Sequence, residues 1–482
     1  VEAIGLPKID LLGIRALTVL ATTTKLVQQH YYPTFQLDKL PLDDPTTAAL
    51  LASGETVGVF QCESNGARRT LRQLKTRTVQ DLAVANAFFK PGPATGGMAA
   101  SFVRRYRGEE TTRYLHPALE PILGFTQGVL IFQEQILRVA RDIAGLSWAE
   151  ADYLRKGMSK FQPQTMAAMQ ARFIAGCQRP APSGPDFAAE QANTLWEQVQ
   201  AFAGYGFNQG HATAYADVSY RSAYLKAHWP AAFLTARLAN FGGFHHPAIY
   251  IAEALHLGIR VRPPHVNQSE REFTLRFERD APGAKQPVLW MGLGQVRSLR
   301  HASVNAITQR RQEQPFASLA DLCARVPLHP KELAHLIQCG ALDGLGESRA
   351  ALLADAKGGR QASQLHQLAF DFAETQVAAD SAAERLTWER RILGLPVSVH
   401  PLATVQLPRR GLTPLARVST LPGQMVKVAV SRLPGWTGGK GFFVGDGQTY
   451  LTAISAKQVT NPKVWTPVLL TGRWQRDEWA GG

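Results

Sequence analysis

The chain has 482 residues, 45% of them hydrophobic, enough for roughly three or four domains with real cores, which excludes a disordered polypeptide. Lysine and arginine number 52 against 38 acidic residues, a formal charge of +14, which points to a polyanionic partner such as nucleic acid or else to a merely basic soluble enzyme. Cys62, Cys177, Cys323 and Cys339 stand far apart with no C-x-x-C pair, so neither a zinc site nor a disulfide framework is indicated, and reduced cytoplasmic thiols are the simplest reading. No apolar run approaches the ~18 residues of a membrane span. The sequence opens at Val1 with neither Met nor a signal-peptide pattern, which suggests a piece of a longer chain.

Residues 5–13, GLPKIDLLG, alternate as a short strand that puts Lys8, Asp10 and Leu12 on one face. A lone Asp beside a Lys is more often a surface pair than a metal ligand. Residues 12–30 then read as a helix. Residues 41–75 predict a capped helix, a short apolar strand and a second helix carrying Arg68, Arg72 and Lys75 at helical spacing, a stripe that suits either a phosphate backbone or plain solvation. Asp43 and Asp44 before Pro45 read as turn and cap residues. FFKPGP at 88–93 is a rigid turn, because each proline removes a donor and biases its predecessor to extended geometry. Arg104, Arg105 and Arg107 follow as a basic cluster. Residues 128–160 read as helical, and Arg155, Lys156 and Lys160 crowd one short segment, where they repel unless solvated or near an anion.

Residues 203–230, AGYGFNQGHATAYADVSYRSAYLKAHWP, are a glycine-broken loop running into a long amphipathic helix. Tyr215, Val218, Ser222, Leu225 and Trp229 recur at spacings of three and four and predict the buried face; Asp217, Arg221 and His228 turn outward, and Pro230 stops the helix. Such a loop aims N–H groups and the positive helix end at whatever sits in front of it, which favours a phosphate, with Asn208 and His211 at that mouth, although an ordinary Gly-rich connection fits equally. The glycine spacing is not that of a dinucleotide-binding fold. Residues 355–385, rich in Ala, Gln, Asp and Gly, read as a mobile linker. Strands are predicted over 425–431, 442–444, 449–455 and 468–474, separated by Gly-rich turns, which suits a small OB-type barrel. Trp436, Phe442, Tyr450 and Trp465 are its candidates for stacking on a single strand, each as suited to the core. No P-loop, G-x-S-x-G or H-E-x-x-H pattern occurs.

GLPKIDLLGIRALT, VFQCESNGARRTLRQL, FFKPGP, GVLIFQEQILRVA, ADYLRKGMSK, AGYGFNQGHATAYADVSY with LKAHWPAAF, and VRPPHVNQSEREFTL, in this order, resemble the bacterial DNA polymerase III alpha subunit, a C-family replicative polymerase. The resemblance implies a multidomain protein with mostly α-helical fingers and helix-hairpin-helix regions and a small C-terminal β-barrel of OB type. It implies the end of a palm domain at 1–13, fingers at 14–262, a duplex-binding helix-hairpin-helix region at 263–354, a linker with a clamp-binding segment at 355–422, and an OB-type domain, cut short by the closing WAGG, at 423–482. Asp10 would match the third catalytic aspartate, a ligand of two Mg²⁺ ions. Lys8, Arg155, Lys156, Lys160, Asn208 and His211 would face the triphosphate of the incoming dNTP. Arg68, Arg72, Arg104, Arg105, Arg297 and Arg300 would hold DNA, and Gln367, Leu368, Phe370 and Phe372 of QLAFDF would dock on a sliding clamp. Primer-template DNA, dNTPs, the clamp and other replisome subunits would be the partners, with no membrane.

Three departures stand out. The paired palm aspartates have no counterpart, so the chain alone should not extend a primer; Lys90 replaces the usual arginine; and Arg297, Ser298, Leu299 and Arg300 stand where the second hairpin expects glycines. In WMGLGQVRSLR only Gly292 and Gly294 remain for a backbone grip on phosphates, with the arginines substituting by charge. A non-catalytic DNA-binding adaptor built from the same modules is the alternative reading.

Overall fold

The computed structural model describes residues 5, 11, 13–88, 98–155, 163–202, 207–240, 242–279, 283–346, 348–364, 380–437, 441–454 and 461–475. The expectations for Lys8, Asp10, Lys90, Lys156, Lys160 and the segment Gln367, Leu368, Phe370 and Phe372 lie outside these residues. The chain divides into two compact units, residues 37–227 and residues 1–36 with 228–476.

Helix α1 (Arg15–His30) belongs to the second of these units. The first contains α2 (Pro45–Ser53), α3 (Asn65–Leu74), α4 (Val79–Phe88), α5 (Met98–Tyr106), α6 (Glu120–Leu123), α7 (Gln133–Arg138), α8 (Trp148–Arg155), α9 (Pro163–Cys177), α10 (Ala189–Phe202) and α11 (Gln209–His228). As the residue types predict, the Asp44 carboxylate caps α2 by accepting from Thr47 N–H at 2.7 Å, with Pro45 at the first helical position.

The strand expected after α2 does not form. Gly58 at φ +88° and Gln61 at φ +59° turn the chain, Thr56 Oγ1 donates to the Cys62 carbonyl at 2.6 Å, and Lys226 Nζ donates to the carbonyls of Glu55 and Val57 at 2.6 and 2.9 Å. A buried ammonium thus takes the place of a partner strand. Lys75 caps α3 in the left-handed region at φ 48°, so the basic row on α3 reduces to Arg68 and Arg72.

The predicted buried face of α11 also shifts. Of the predicted face Ser222 and Leu225 are buried, but Tyr215 and Val218 are only half-buried, and Ala212, Ala216, Ser219, Tyr220, Ala223 and Lys226 are buried beside them. Small side chains on the buried face let α11 lie close to α2–α5, in a core with Leu51, Leu71, Leu82, Phe88, Phe102 and Tyr220. A separate core holds α6–α10 around Leu119, Ile136, Phe173 and Trp196.

In the second unit Pro230 is the first residue of α12 (Pro230–Ala239) rather than only a stop; α13 (Pro247–His256) follows. A three-stranded sheet of β1 (Arg260–Arg262), β2 (Thr274–Arg279) and β3 (Lys285–Trp290) has the order β1-β3-β2, with β1 parallel and β2 antiparallel to β3. Helices α14 (His301–Glu313), α15 (Leu319–Arg325), α16 (Pro330–Gln338), α17 (Arg349–Gln364) and α18 (Ala382–Leu393) come next. Residues 355–364, expected in a linker, continue α17.

Leu293, Val304, Ile307, Phe316, Leu336, Leu342 and Ile392 form one core. Beside it runs a buried ionic network. Arg349 donates to Glu389 at 3.0 Å, to both oxygens of Asp343 at 2.9 and 2.7 Å, and to the Gln338 carbonyl at 3.0 Å. Asp380 accepts the backbone N–H of Arg349 and Ala350 at 2.9 and 2.7 Å and so caps α17 from beyond residues 365–379.

Four strands follow where the residues predict them: β4 (Met425–Arg432), β5 (Gly441–Gly445), β6 (Tyr450–Ile454) and β7 (Pro467–Arg473). They form one antiparallel sheet in the order β6-β5-β4-β7. Among the described residues β6 and β7 are edges, so a closed barrel is not formed by these strands. No helix among the described residues is long and apolar enough to cross a membrane. Cys62, Cys177 and Cys339 are buried, Cys323 is exposed, and none is in a disulfide.

Candidate nucleic-acid interface

The start of α11 is built from two distant segments. Phe132 and Phe207 pair as an isolated parallel bridge, and Gln133 N–H donates to the Phe207 carbonyl at 2.9 Å. This sets Glu134 against the helix end, where its carboxylate accepts from Asn208 Nδ2 and from Gln209 N–H, both at 2.8 Å. Asn208 Oδ1 accepts from His211 N–H at 2.7 Å, an N-cap. The picture of open N–H groups awaiting a phosphate is therefore corrected: two first-turn donors are satisfied within the protein, and a carboxylate already uses the positive helix end. Gln133 and Glu134 lie within the motif GVLIFQEQILRVA, but no role of their own was legible there, because a carboxylate that caps a helix 75 residues away leaves no periodic signal.

Arg155 comes to the same place. Its guanidinium donates to Asp152 at 2.9 Å and to Gln133 Oε1 at 3.3 Å, so Arg155, Asn208 and His211 are joined through two adjacent residues. The His211 ring lies 4.0 Å from the Tyr215 ring and 5.5 Å from the Phe207 ring, centroid to centroid, and Tyr215 meets Phe60 at 5.3 Å. A cation held in a single ion pair among the described residues, an amide and an exposed imidazole edge thus share one surface backed by aromatic rings.

Other predicted cations are less available. Arg68 donates to the Gly54 carbonyl at 2.7 Å and pairs with Glu55 at 3.3 Å. Arg72 packs against Gly54, where its Cγ lies 3.0 Å from the position a Cβ would take. Arg104 and Arg105 share Glu110, each at 3.0 Å, and hydrogen bonds from Ser101 and then Arg105 hold the Glu110 carboxyl down at about 2. The basic cluster before residue 110 is largely paired.

The expected backbone grip of WMGLGQVRSLR is also corrected. Leu293 N–H donates to the Glu270 carbonyl and Gly294 N–H to that of Arg271, both at 2.9 Å, while the N–H groups of Met291, Gln295, Val296, Arg297 and Leu299 all have backbone acceptors. These amides are spent on folding. Gly292 serves close packing, because a Cβ there would lie 2.2 Å from the Arg271 carbonyl oxygen. Ser298 adopts φ +65°, the left-handed conformation that glycine takes most easily, so the turn keeps its geometry without the glycine.

Of the two arginines beside it, Arg300 is committed. Its backbone N–H and guanidinium donate to Glu332 at 2.8, 3.0 and 2.9 Å, and Glu332 also caps α16 through His329 N–H at 2.8 Å. Arg297 has an exposed side chain with no ion pair among the described residues. It is the cation of this turn that a phosphate can reach.

Burial opposes ionisation of Glu332, but hydrogen bonds from Arg300, His329 and Ser303 outweigh it and hold the carboxyl at about 2. A folded-state value below the unfolded one gives stability that is present above about 4.5 and lost as pH falls towards 2. Glu332→Gln should therefore cost roughly 2 kcal/mol at neutral pH, discounted for the half-exposed Arg300. In thermal melts the gap between wild type and variant should close between pH 5 and 2; a constant gap would show that Glu332 acts by packing alone.

Among the described residues no group of three or more His, Cys, Asp and Glu could hold a metal ion. The described donor set does not fit a two-ion centre.

Residues 16–180 match the bacterial DNA polymerase III alpha subunit finger domain, and residues 258–352 match a helix-hairpin-helix motif. The chain is 37% identical over 420 residues to the DNA polymerase III subunit alpha of Halalkalibacterium halodurans, covering 83% of the chain and 36% of that relative. It is 36% identical over 425 residues to the DNA polymerase III subunit alpha of Thermus aquaticus, covering 83% and 33%. It is 35% identical over 437 residues to the error-prone DNA polymerase of Bordetella parapertussis, covering 88% and 40%. The chain thus spans about a third to two fifths of the length of these relatives. With two family regions matched in the expected order and most of its length aligned, the chain belongs to the bacterial DNA polymerase III alpha subunit family.

Proposed function

We propose that this chain is the part of a DNA-directed DNA polymerase that runs from the end of the palm (1–13) through fingers (14–262), a duplex-holding helix-hairpin-helix region (263–354), a clamp-tethering segment (355–422) and an OB-type module (423–482), and that it serves dNTP addition to a primer 3′-hydroxyl during replication in the cytoplasm. The observation that carries the reading is the junction of Arg155 with Asn208 and His211 through Gln133 and Glu134. Arg155 holds one carboxylate, so the oxygens of a triphosphate can compete for its remaining donors. The α11 terminus offsets part of the repulsion between Glu134 and such an anion. Asn208 and His211 would then orient the nucleotide, and Lys8, Lys156 and Lys160 would add charge on the leaving pyrophosphate.

Asp10 is the proposed carboxylate ligand of Mg²⁺. Arg297 is the duplex contact with the strongest support, ahead of Arg68, Arg104, Arg105 and Arg300, whose charges are shared with neighbours, and of Arg72, which packs against Gly54. Gln367, Leu368, Phe370 and Phe372 are the proposed clamp anchor, and loss of clamp capture on changing Gln367 and Phe372 to Ala would be its test.

The reading as a whole is tested with the purified chain and a labelled primer-template. Binding should weaken steeply between about 50 and 200 mM salt as counterions are released, and Arg155→Ala should reduce photocrosslinking of an azido-dNTP roughly tenfold, the loss of one charge-assisted contact. Affinity that is flat in salt would overturn the phosphate-gripping surface. Robust primer extension by the isolated chain would remove Asp10 from its proposed place as one of three aspartates.

A further inference from the structure

Two large aromatic side chains stand out on the surface of the second unit. Trp436, in the connection between β4 and β5, is 70% exposed, and Phe244, in the connection between α12 and α13, is 49% exposed. Their ring centroids lie 6.4 Å apart at an interplanar angle of 58°. Nearly 200 residues separate them, and nothing in the sequence joins them.

The pair is backed by rigid structure. Phe244 meets His245 edge-on at 4.8 Å, His245 meets Phe443 at 5.4 Å, and Phe443 is buried within the sheet. Behind them Tyr450 donates its hydroxyl proton to Glu253 at 2.6 Å and ties β6 to α13. The residues leading into Phe244 are fixed as well. Gly242 adopts φ +83°, and a Cβ there would lie 2.7 Å from the Arg15 guanidinium. A Cβ on Gly243 would lie 2.2 Å from Arg237 Nη2 and 2.1 Å from the Tyr250 hydroxyl. Two guanidinium groups are thus packed against the two residues before an exposed ring.

Arg237 is committed to Tyr250, to whose hydroxyl it donates at 3.2 Å and over whose ring it lies, whereas Arg15 is exposed. Exposed aromatic faces beside such a cation are what an unpaired nucleic-acid strand needs: bases stack on the rings while phosphates meet the charge, and stacking is worth about 1–3 kcal/mol per base. An apolar protein partner would favour a patch without cations, whereas this one lies in a chain of net charge +14. We propose that Phe244 and Trp436 form a composite stacking platform for single-stranded DNA, made jointly by the α12–α13 connection and the β4–β5 hairpin. The proposal rests on the reading of the last four strands as a nucleic-acid-binding module and adds to it a ring from outside that module. Phe442 and Trp465, buried, belong to the core, and Tyr450 is engaged with Glu253.

The test compares the full chain with Phe244→Ala, Trp436→Ala and Trp436→Phe by fluorescence anisotropy with a short oligo-dT and, separately, with a primer-template lacking any overhang beyond the duplex. Each alanine variant should weaken the Kd for oligo-dT by roughly 5- to 100-fold, the range that stacking of one base spans, while Trp436→Phe retains most of the affinity. Duplex binding should stay within twofold for all. Unchanged oligo-dT affinity in both alanine variants would overturn the platform, and intact duplex binding in the same experiment would leave the family reading untouched. Concentration-dependent self-association that the alanine variants abolish, with oligo-dT binding unaltered, would overturn it in favour of a face between two copies.

Discussion

Arg349→Met is expected to lower the unfolding free energy by about 3–5 kcal/mol, the cost of leaving a buried carboxylate without its partner. The Arg349 and Glu389 side chains are 2% and 0% exposed, so water cannot replace the lost donors. Glu389 would keep only the N–H groups of Val397 and Ser398, at 2.7 and 2.9 Å, and the Ser398 hydroxyl. Asp343, more exposed, can rehydrate, and the loss should concentrate on Glu389. Adding Glu389→Leu removes the orphaned charge but also strips an acceptor from those two N–H groups, so the double variant should recover only part of the stability. A double-mutant cycle by urea unfolding measures the coupling. A loss below about 1 kcal/mol for Arg349→Met would show that the network contributes little to holding α17 and α18 together.

Gly292→Ala is the second substitution with a large expected effect, about 3 kcal/mol or more, since one added carbon must displace the backbone of residues 271–272 rather than a movable side chain. The same change separates two roles for the glycine. If it allowed a phosphate to approach, alanine would weaken duplex binding and leave the fold intact. The packing predicts the reverse order: the melting temperature falls first, and DNA affinity of the fraction still folded changes little. An unaltered melting temperature with reduced affinity would restore the backbone grip. Arg297→Ala supplies the contrast, with a shallower salt dependence of duplex binding and no change in stability.

What could be read from residue order was whatever is local. Asp44 before Pro45 announced a cap, and the alternation after Gln424 announced four strands, because the forces that shape them act within a few residues. The family resemblance came from short motifs in sequence order and needed no packing at all. The misreadings share one cause. Lys226 replaces a strand partner for the turn at residues 55–57 from about 170 positions away, and on α11, where Ser222 and Leu225 are buried as expected, the buried Ala212, Ala216 and Ala223 are residues that a hydrophobic count undervalues beside Tyr215 and Val218. Charge was misleading in the same way. Arg300 and Arg105 read as free cations until Glu332 and Glu110 are set beside them. Likewise Trp436 was one of four candidate aromatics, and only its exposure beside Phe244 singles it out.

The cap that Asp380 places on α17, together with the bond from Arg349 to Glu389, fastens the chain on one side of residues 365–379 to the chain on the other. A protease that cuts within that stretch would then yield two fragments on a denaturing gel and a single particle on a sizing column. Whatever those fifteen residues bind, severing them would not by itself release the helix-hairpin-helix portion from the sheet that follows.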